Sequence, residues 1–299
     1  MVYTRDPRSL NPALIINPKA KKNERRWPHL AALARQAGWP FRLGVEPEEL
    51  CQIAAELVAQ GSRLLLICGG DGTLAAILTF WLDLPAENRP FLTPLLGGTT
   101  NLIVRDLTST PPEKLLKALF KGCLPRIKRR MVMRLNPPGA CGMFLGGGLV
   151  AEGVSRFRER RHKGEGAPWK ALGFVPAKLW SQETQRPIEF LESSNLLKRG
   201  PFWFFFLTTL KRLFGWFDPL KECSSEKLRG LALKKGVNFS ALFLKYWIGK
   251  RLEVPHVHHV CEKQLLVYAQ ELALDGEIYY SPSKRFLVEV AGEVEFLIW

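Results

Sequence analysis

Short apolar runs alternate with longer amphipathic segments from residue 13 to about residue 120. The runs ALIIN (13–17), WPFRLG (39–44), RLLLIC (63–68) and FLTPLL (91–96) are too short for core helices and are apolar at nearly every position. That is the pattern of strands buried on both faces. Between them, apolar residues recur at helical spacing: Leu50, Ile53, Ala54, Leu57 and Val58 form one face, which stops at Gly61. Strand and helix in alternation predict a parallel sheet covered by helices on both sides.

The texture changes beyond Leu124. Pieces such as MVMRL (131–135), KQLLVYA (263–269), EIYY (277–280) and RFLVEV (285–290) are separated by Pro, Gly and Asp turns, so this half reads as mostly β. Residues 202–217 stand out, because Phe202, Phe205, Phe206, Thr209, Leu210 and Leu213 fall near one helical face and predict a helix there. The division expected is an α/β domain over residues 1–125 and a β-sandwich domain over 126–299, with the last strand returning to the first domain.

Composition narrows the class. The 299 residues, 46% hydrophobic and 24% charged, suit two folded domains and exclude a disordered chain. Lys and Arg exceed Asp and Glu by 43 to 28, a formal charge of +15, which predicts an anionic partner. The six cysteines include no Cys-x-x-Cys pair, and a reducing cytoplasm is the simplest compartment. The longest strongly apolar stretch, residues 201–210 (PFWFFFLTTL), is well short of the ~20 residues of a spanning helix. No helix-turn-helix, zinc-finger or RNA-binding pattern occurs, so nucleic acid is not an expected partner.

The candidate chemistry lies in two glycine-rich turns. Gly69-Gly70-Asp71-Gly72-Thr73 follows RLLLIC and leads into a helical segment, and Gly97-Gly98-Thr99-Thr100-Asn101 follows FLTPLL in the same way. Glycines at a strand-to-helix turn let main-chain amides approach a bulky anion, and neighbouring turns at the carboxyl ends of parallel strands share one crevice. Neither turn is GxxxxGK[ST] or GxGxxG. An aspartate is a poor direct partner for phosphate, so Asp71 is expected to work through Mg²⁺, a ribose hydroxyl or a loop amide.

These segments resemble the diacylglycerol kinase catalytic-domain family, which includes soluble bacterial lipid kinases, sphingosine kinases and ceramide kinases. The resemblance rests on INP (16–18), GGDGTL (69–74), GGTTN (97–101) and LDGE (274–277), in the family's order. It implies an α/β nucleotide-binding domain, a β-sandwich, and an active site in the cleft between them, with ATP as co-substrate and Mg²⁺ as metal. Carried over by position, Asn17, Gly69, Gly70, Asp71, Gly72, Thr73, Gly98, Thr99 and Asn101 would bind the nucleotide, with Asp71 also a ligand of the catalytic Mg²⁺. Asp275 would be the general base that takes the proton of a lipid hydroxyl. Glu277 would share a strand face with it and bind metal or orient the base. Taken alone, Asp275-Gly276 reads equally as a hairpin turn. The activity implied is transfer of the γ-phosphoryl group of ATP to a hydroxyl of a membrane lipid, diacylglycerol or sphingoid-like, by a cytoplasmic, peripherally membrane-associated enzyme. A catalytically degenerate lipid- or nucleotide-binding relative and an NAD kinase-like enzyme are the alternatives, and the oligomeric state stays open, a homodimer included.

The chain departs from the family in places. Ala75-Ala76 stands where the family continues with Asn-Glu, and the run after Gly146-Gly147-Gly148 offers Glu152 rather than an Asp. Arg229 sits where the bacterial members place a second carboxylate for a structural Mg²⁺, so that ion is not expected here. Two basic clusters, Lys121 to Arg134 and Arg156 to Lys163, read either as a face for anionic headgroups, at about 1 kcal/mol per basic residue, or as a solvated surface. The aromatic segment 201–217 reads as interfacial or as core. The HVHH run at residues 256–259 invites a metal reading, but it lacks the acidic cluster of a metal site and none is expected there.

Overall fold

The computed structural model describes residues 6–162, 186–192, 198–213, 220, 223–237 and 255–299. The first half is the α/β unit its pattern predicts. Strands β1 (Pro12–Ile16), β2 (Phe41–Leu43), β3 (Leu64–Gly69) and β4 (Phe91–Leu96) pair in parallel in the order β2-β1-β3-β4. Helices α1 (Trp27–Gln36), α2 (Pro47–Ala59), α3 (Asp71–Asp83), α4 (Leu102–Leu107) and α5 (Pro112–Phe120) connect them. Alternation along a strand sends neighbouring residues to opposite faces. Ala13, Ile15, Leu65 and Ile67 therefore pack with α2 and α3, while Leu14, Ile16, Leu64 and Leu66 pack with α1 and α5. Helices on both sides leave little room for polar residues in β1, β3 and β4, which is why these runs are almost wholly apolar, whereas β2 at the sheet edge carries the exposed Arg42.

Two sheets build the second half. Strands β5 (Arg126–Asn136) and β6 (Ala140–Gly142) join the first sheet, β7 (Phe144–Gly148) opens the second, and α6 (Leu149–His162) follows it. Then come β8 (Ile188–Glu192), β9 (Lys198–Phe202), β10 (Phe204–Thr208), β11 (Leu228–Leu233), β12 (Val257–Glu262), β13 (Gln264–Tyr268), β14 (Glu271–Leu274), β15 (Glu277–Tyr280) and β16 (Arg285–Ile298). The larger sheet runs β2-β1-β3-β4-β16-β13-β8-β9, with β5 also against β16, and the smaller runs β12-β11-β10-β7-β14-β15. Phe190, Val267, Phe286 and Val288 of the first face Leu145, Phe205, Leu207 and Leu272 of the second in one shared core. The last strand crosses between halves: β16 pairs β5 along its length and meets β4 in parallel at Phe296 and Leu92. Thr93 Oγ1 donates to the Leu297 carbonyl (2.8 Å) across that seam.

The helix expected over residues 202–217 is not present in its described part, where β9 ends and β10 runs instead. The reason is burial on both sides: Phe205 and Leu207 enter the sandwich core while Phe206 enters the core under the α/β helices. A strand of that kind is apolar at every position and carries neither helical nor strand periodicity. Phe202, Phe205 and Leu207 are fully buried, so this part of the aromatic segment is core and not an interfacial element. Trp216 and Phe217 lie outside the described residues, as does Lys163.

Most of the first basic cluster is paired within the chain, though Arg126 and Arg129 are exposed. Arg130 pairs with Asp106 (2.5 Å) in a buried site, Arg129 with Glu295, Arg134 with Asp83, and Lys128 Nζ donates to the Leu107 carbonyl. Cys223 and Cys261 form a disulfide that staples the segment before β11 to β12, which sets this pair against the reducing compartment its spacing suggests. Arg229 is buried, its guanidinium donating to the carbonyls of Leu210 and Leu220. Among the described residues, no helix is long and apolar enough to cross a membrane.

Candidate active site

Both glycine turns sit at the carboxyl ends of neighbouring strands, and they touch. Gly97 N donates to the Gly69 carbonyl (3.1 Å). A β-carbon on Gly98 would stand 2.5 Å from the Gly70 Cα, so the two main chains approach as only glycine allows. Asn101 fixes the second turn: wholly buried, it accepts from Gly98 N (2.9 Å) and donates to the Gly98 carbonyl (2.6 Å). Asn17 Nδ2 donates to Thr73 Oγ1 (3.1 Å), tying the end of β1 to the first turn of α3. Asn101 and Thr73 are thus buried supports of the turns, whereas Gly70, Asp71, Gly72 and Thr99 remain partly exposed. Helix α3 starts at Asp71 with no side-chain cap, so its amide end faces the crevice available to an anion.

Of the three roles expected of Asp71, the bond to loop amides is seen directly. Its carboxylate accepts from the main-chain amides of Leu102 (3.0 Å) and Ile103 (3.2 Å) at the start of α4. Burial pushes it up to about 6 despite those two donors and the nearby Arg105. The folded protein therefore holds a proton that the unfolded chain has already released at the same pH. Stability contributed at about pH 4 should decline as the pH rises to about 6. Urea unfolding across that interval is expected to show a steeper loss for the wild type than for Asp71→Asn.

Asp275 lies opposite, in the two-residue turn between β14 and β15. Asp275 and Gly276 have φ of 48° and 92°, the positive values that a two-residue I′ loop needs. The hairpin reading holds, and the turn aims the side chain inward, toward the amides of Met143 and Phe144. The carboxylate is 8% exposed and accepts from the amides of Met143 (2.9 Å) and Phe144 (2.9 Å) between β6 and β7. Burial, and then the charge of Asp71, raise it well above the ordinary carboxylate range; the two amides pull the other way.

Glu277 reaches the same place by a different route from the one expected. Asp275 is in the turn, with positive φ, so strand alternation does not relate the two. Glu277 instead reaches across to α3, where a β-carbon on Gly72 would be 3.2 Å from its Oε1. It is also paired with Arg158 Nη1 of α6 (2.5 Å). Tyr279, beyond it, is pushed up to about 12 by burial and by Glu277.

The donor set suits Mg²⁺. The charge of Asp71 opposes the ionisation of Asp275, and a divalent cation beside them would relieve that repulsion. One or two carboxylates, with waters and substrate phosphates completing the shell, are the usual protein share of such a site. No group of three His, Cys, Asp or Glu side chains that would hold a metal unaided occurs among the described residues. Sequence reasoning missed the amides of Met143, Phe144, Leu102 and Ile103, since main-chain donors leave no residue-type signature. Arg158 was visible only as a member of a charge cluster.

Comparison with known proteins agrees with this architecture. Residues 11–131 match the model of the diacylglycerol kinase catalytic domain. No curated protein matches the chain. Three solved structures from Bacillus anthracis str. Sterne share the fold. One, described as a diacylglycerol kinase, has a TM-score of 0.65 at 19% identity, covering 97% of each chain. Another, described as a candidate diacylglycerol kinase, gives 0.66 at 19% identity over 95% of this chain and 96% of that one. A third, described likewise, gives 0.64 at 21% over 96% and 97%. These neighbours share the fold, and the resemblance carried by the two glycine turns is met by the diacylglycerol kinase catalytic-domain match over residues 11–131.

Proposed function

We propose that the protein is an ATP-dependent lipid kinase, transferring the γ-phosphoryl group to a hydroxyl of a membrane lipid such as diacylglycerol or a sphingoid-like alcohol. The observation that carries the reading is the convergence of Asp275 and Asp71 beside two glycine turns packed main chain to main chain. Amides of the turns and the start of α3 would hold the phosphates, and Mg²⁺ held by Asp71 would neutralise charge on them. Asp275 would accept the proton of the attacking hydroxyl. Its raised proton affinity favours that step, because a carboxylate near its ordinary value is a weak base at neutral pH. Arg158, tied to Glu277, would steady the wall of the cleft next to the base.

The test is phosphate transfer from γ-labelled ATP to a total bacterial lipid extract in mixed micelles with Mg²⁺, with NAD as a second acceptor. Label in the organic phase is the expected result. Label on NAD alone would move the protein to NAD kinase chemistry. ATP binding with no transfer to either acceptor would overturn the proposal in favour of a binding protein, the outcome that the buried Ala75-Ala76 pair would then explain.

A further inference from the structure

At the edge of the smaller sheet farthest from Asp275, Arg199 and Phe202 of β9, Lys234 after β11, and His256, Val257 and His258 at β12 line a cleft. Strands β10 and β7 separate it from the β14–β15 turn, so it is distinct from the candidate active site. Its floor is the ring of Phe202, fully buried and stacked on Phe190 at 5.0 Å. Lys234 Nζ stands 5.7 Å from the centre of that ring, and the His258 ring 6.1 Å from it. Behind the lining lies Glu192, 6% exposed, which meets His258 Nε2 at 2.6 Å and lies 3.7 Å from Arg199 Nε. Arg199 Nε is itself buried and makes no hydrogen bond among the described residues.

This arrangement has the features of a built anion site. Among the described residues at the cleft, Lys234 and Arg199 bring two positive charges against the carboxylate of Glu192. Glu192 is too buried to meet a ligand, but it holds His258 and draws Arg199 toward a fixed position, which reduces the cost of ordering them on binding. The positive side chains also argue against a cation at the paired histidines. A guanidinium, an ammonium and two imidazoles reaching one concavity from separate strands match an anion with several oxygens, and the planar guanidinium fork matches phosphate in particular.

We propose that this cleft binds a phosphate group, presented by a phospholipid headgroup or by a soluble phosphate compound. Two probes separate the sources for the full chain: inorganic phosphate followed by phosphorus NMR, and sedimentation with phosphatidylcholine vesicles with and without phosphatidic acid. The variants are Lys234→Gln, at an exposed position where folding is not at stake, and the double variant R199Q/K234Q. Losing one charge-assisted hydrogen bond should weaken binding about tenfold or more in Lys234→Gln, and further in the double variant. If only phosphate binding weakens, the ligand is soluble; if only vesicle binding does, it is a headgroup. Phosphate bound at the glycine turns does not depend on Lys234. Equal binding by wild type and both variants, or no binding of either probe by the wild type, would overturn the proposal.

Discussion

Asp275→Asn should lower phosphoryl transfer by about 10²–10⁴-fold, the range associated with a positioned general acid or base. Nucleotide binding should persist, because the turns that would hold the phosphates are supported by Asn17 and Asn101 and not by Asp275. The stability effect is the sum of two opposing changes. Asparagine keeps one oxygen acceptor but points an amide group at one of the two main-chain donors, Met143 or Phe144. An unsatisfied buried donor costs about 1–3 kcal/mol. Against that, the repulsion between Asp275 and Asp71 disappears. The variant is therefore expected to fold, and single-turnover transfer measured beside thermal unfolding separates the effects. Transfer within a few-fold of wild type would remove Asp275 from the base role. Loss of transfer together with loss of folding would direct the test to kinetics at lower temperature.

Gly98→Ala is expected to weaken nucleotide binding by about 10–100-fold, the equivalent of one or more charge-assisted hydrogen bonds of about 1.5–3 kcal/mol. Here the limit is space. The new β-carbon would lie 2.5 Å from the Gly70 Cα, and main chain cannot turn aside as a side chain can. One turn must shift, and the amides it presents shift with it. Overpacking of this kind also costs about 1–3 kcal/mol of stability. Gly276→Ala is the informative contrast: nothing lies within 4 Å of its β-carbon, but its φ of 92° strains any other residue, so its effect should fall on the hairpin and on Asp275 rather than on the nucleotide. Titration of a non-hydrolysable ATP analogue against each variant reads the difference.

What the sequence made legible follows from where its patterns are strict. Strands β1, β3 and β4 announce themselves because helices cover both faces, and the turns after β3 and β4 announce themselves by their glycines. Strand β10 was misread for the same physical reason that β1 was read correctly. Burial on both faces leaves an unbroken apolar run, and in Phe204–Thr208 only tertiary context distinguishes strand from helix. Helix α6 left little trace, since its sequence LVAEGVSRFRERRH is mostly polar. At the site, LDGE located Asp275, but the strap of two amides that buries its carboxylate is main chain and belongs to no motif. The HVHH run was visible as a cluster, though Arg199 and Lys234, which line a cleft with His256 and His258, come from other parts of the chain.

The seam made by β16 has a consequence for how the chain is made. Pairing of Phe296 with Leu92, and the hydrogen bond from Thr93 to Leu297, join residues about two hundred positions apart in sequence. Until that last strand has left the ribosome, β4 presents an uncovered edge and β5 lacks its longest partner. The segment that carries the glycine turns therefore waits, partly assembled, for nearly the whole chain. Contacts of such long range slow folding and prolong exposure to aggregation. Nascent protein should depend on protection during synthesis far more than its helix-rich beginning implies.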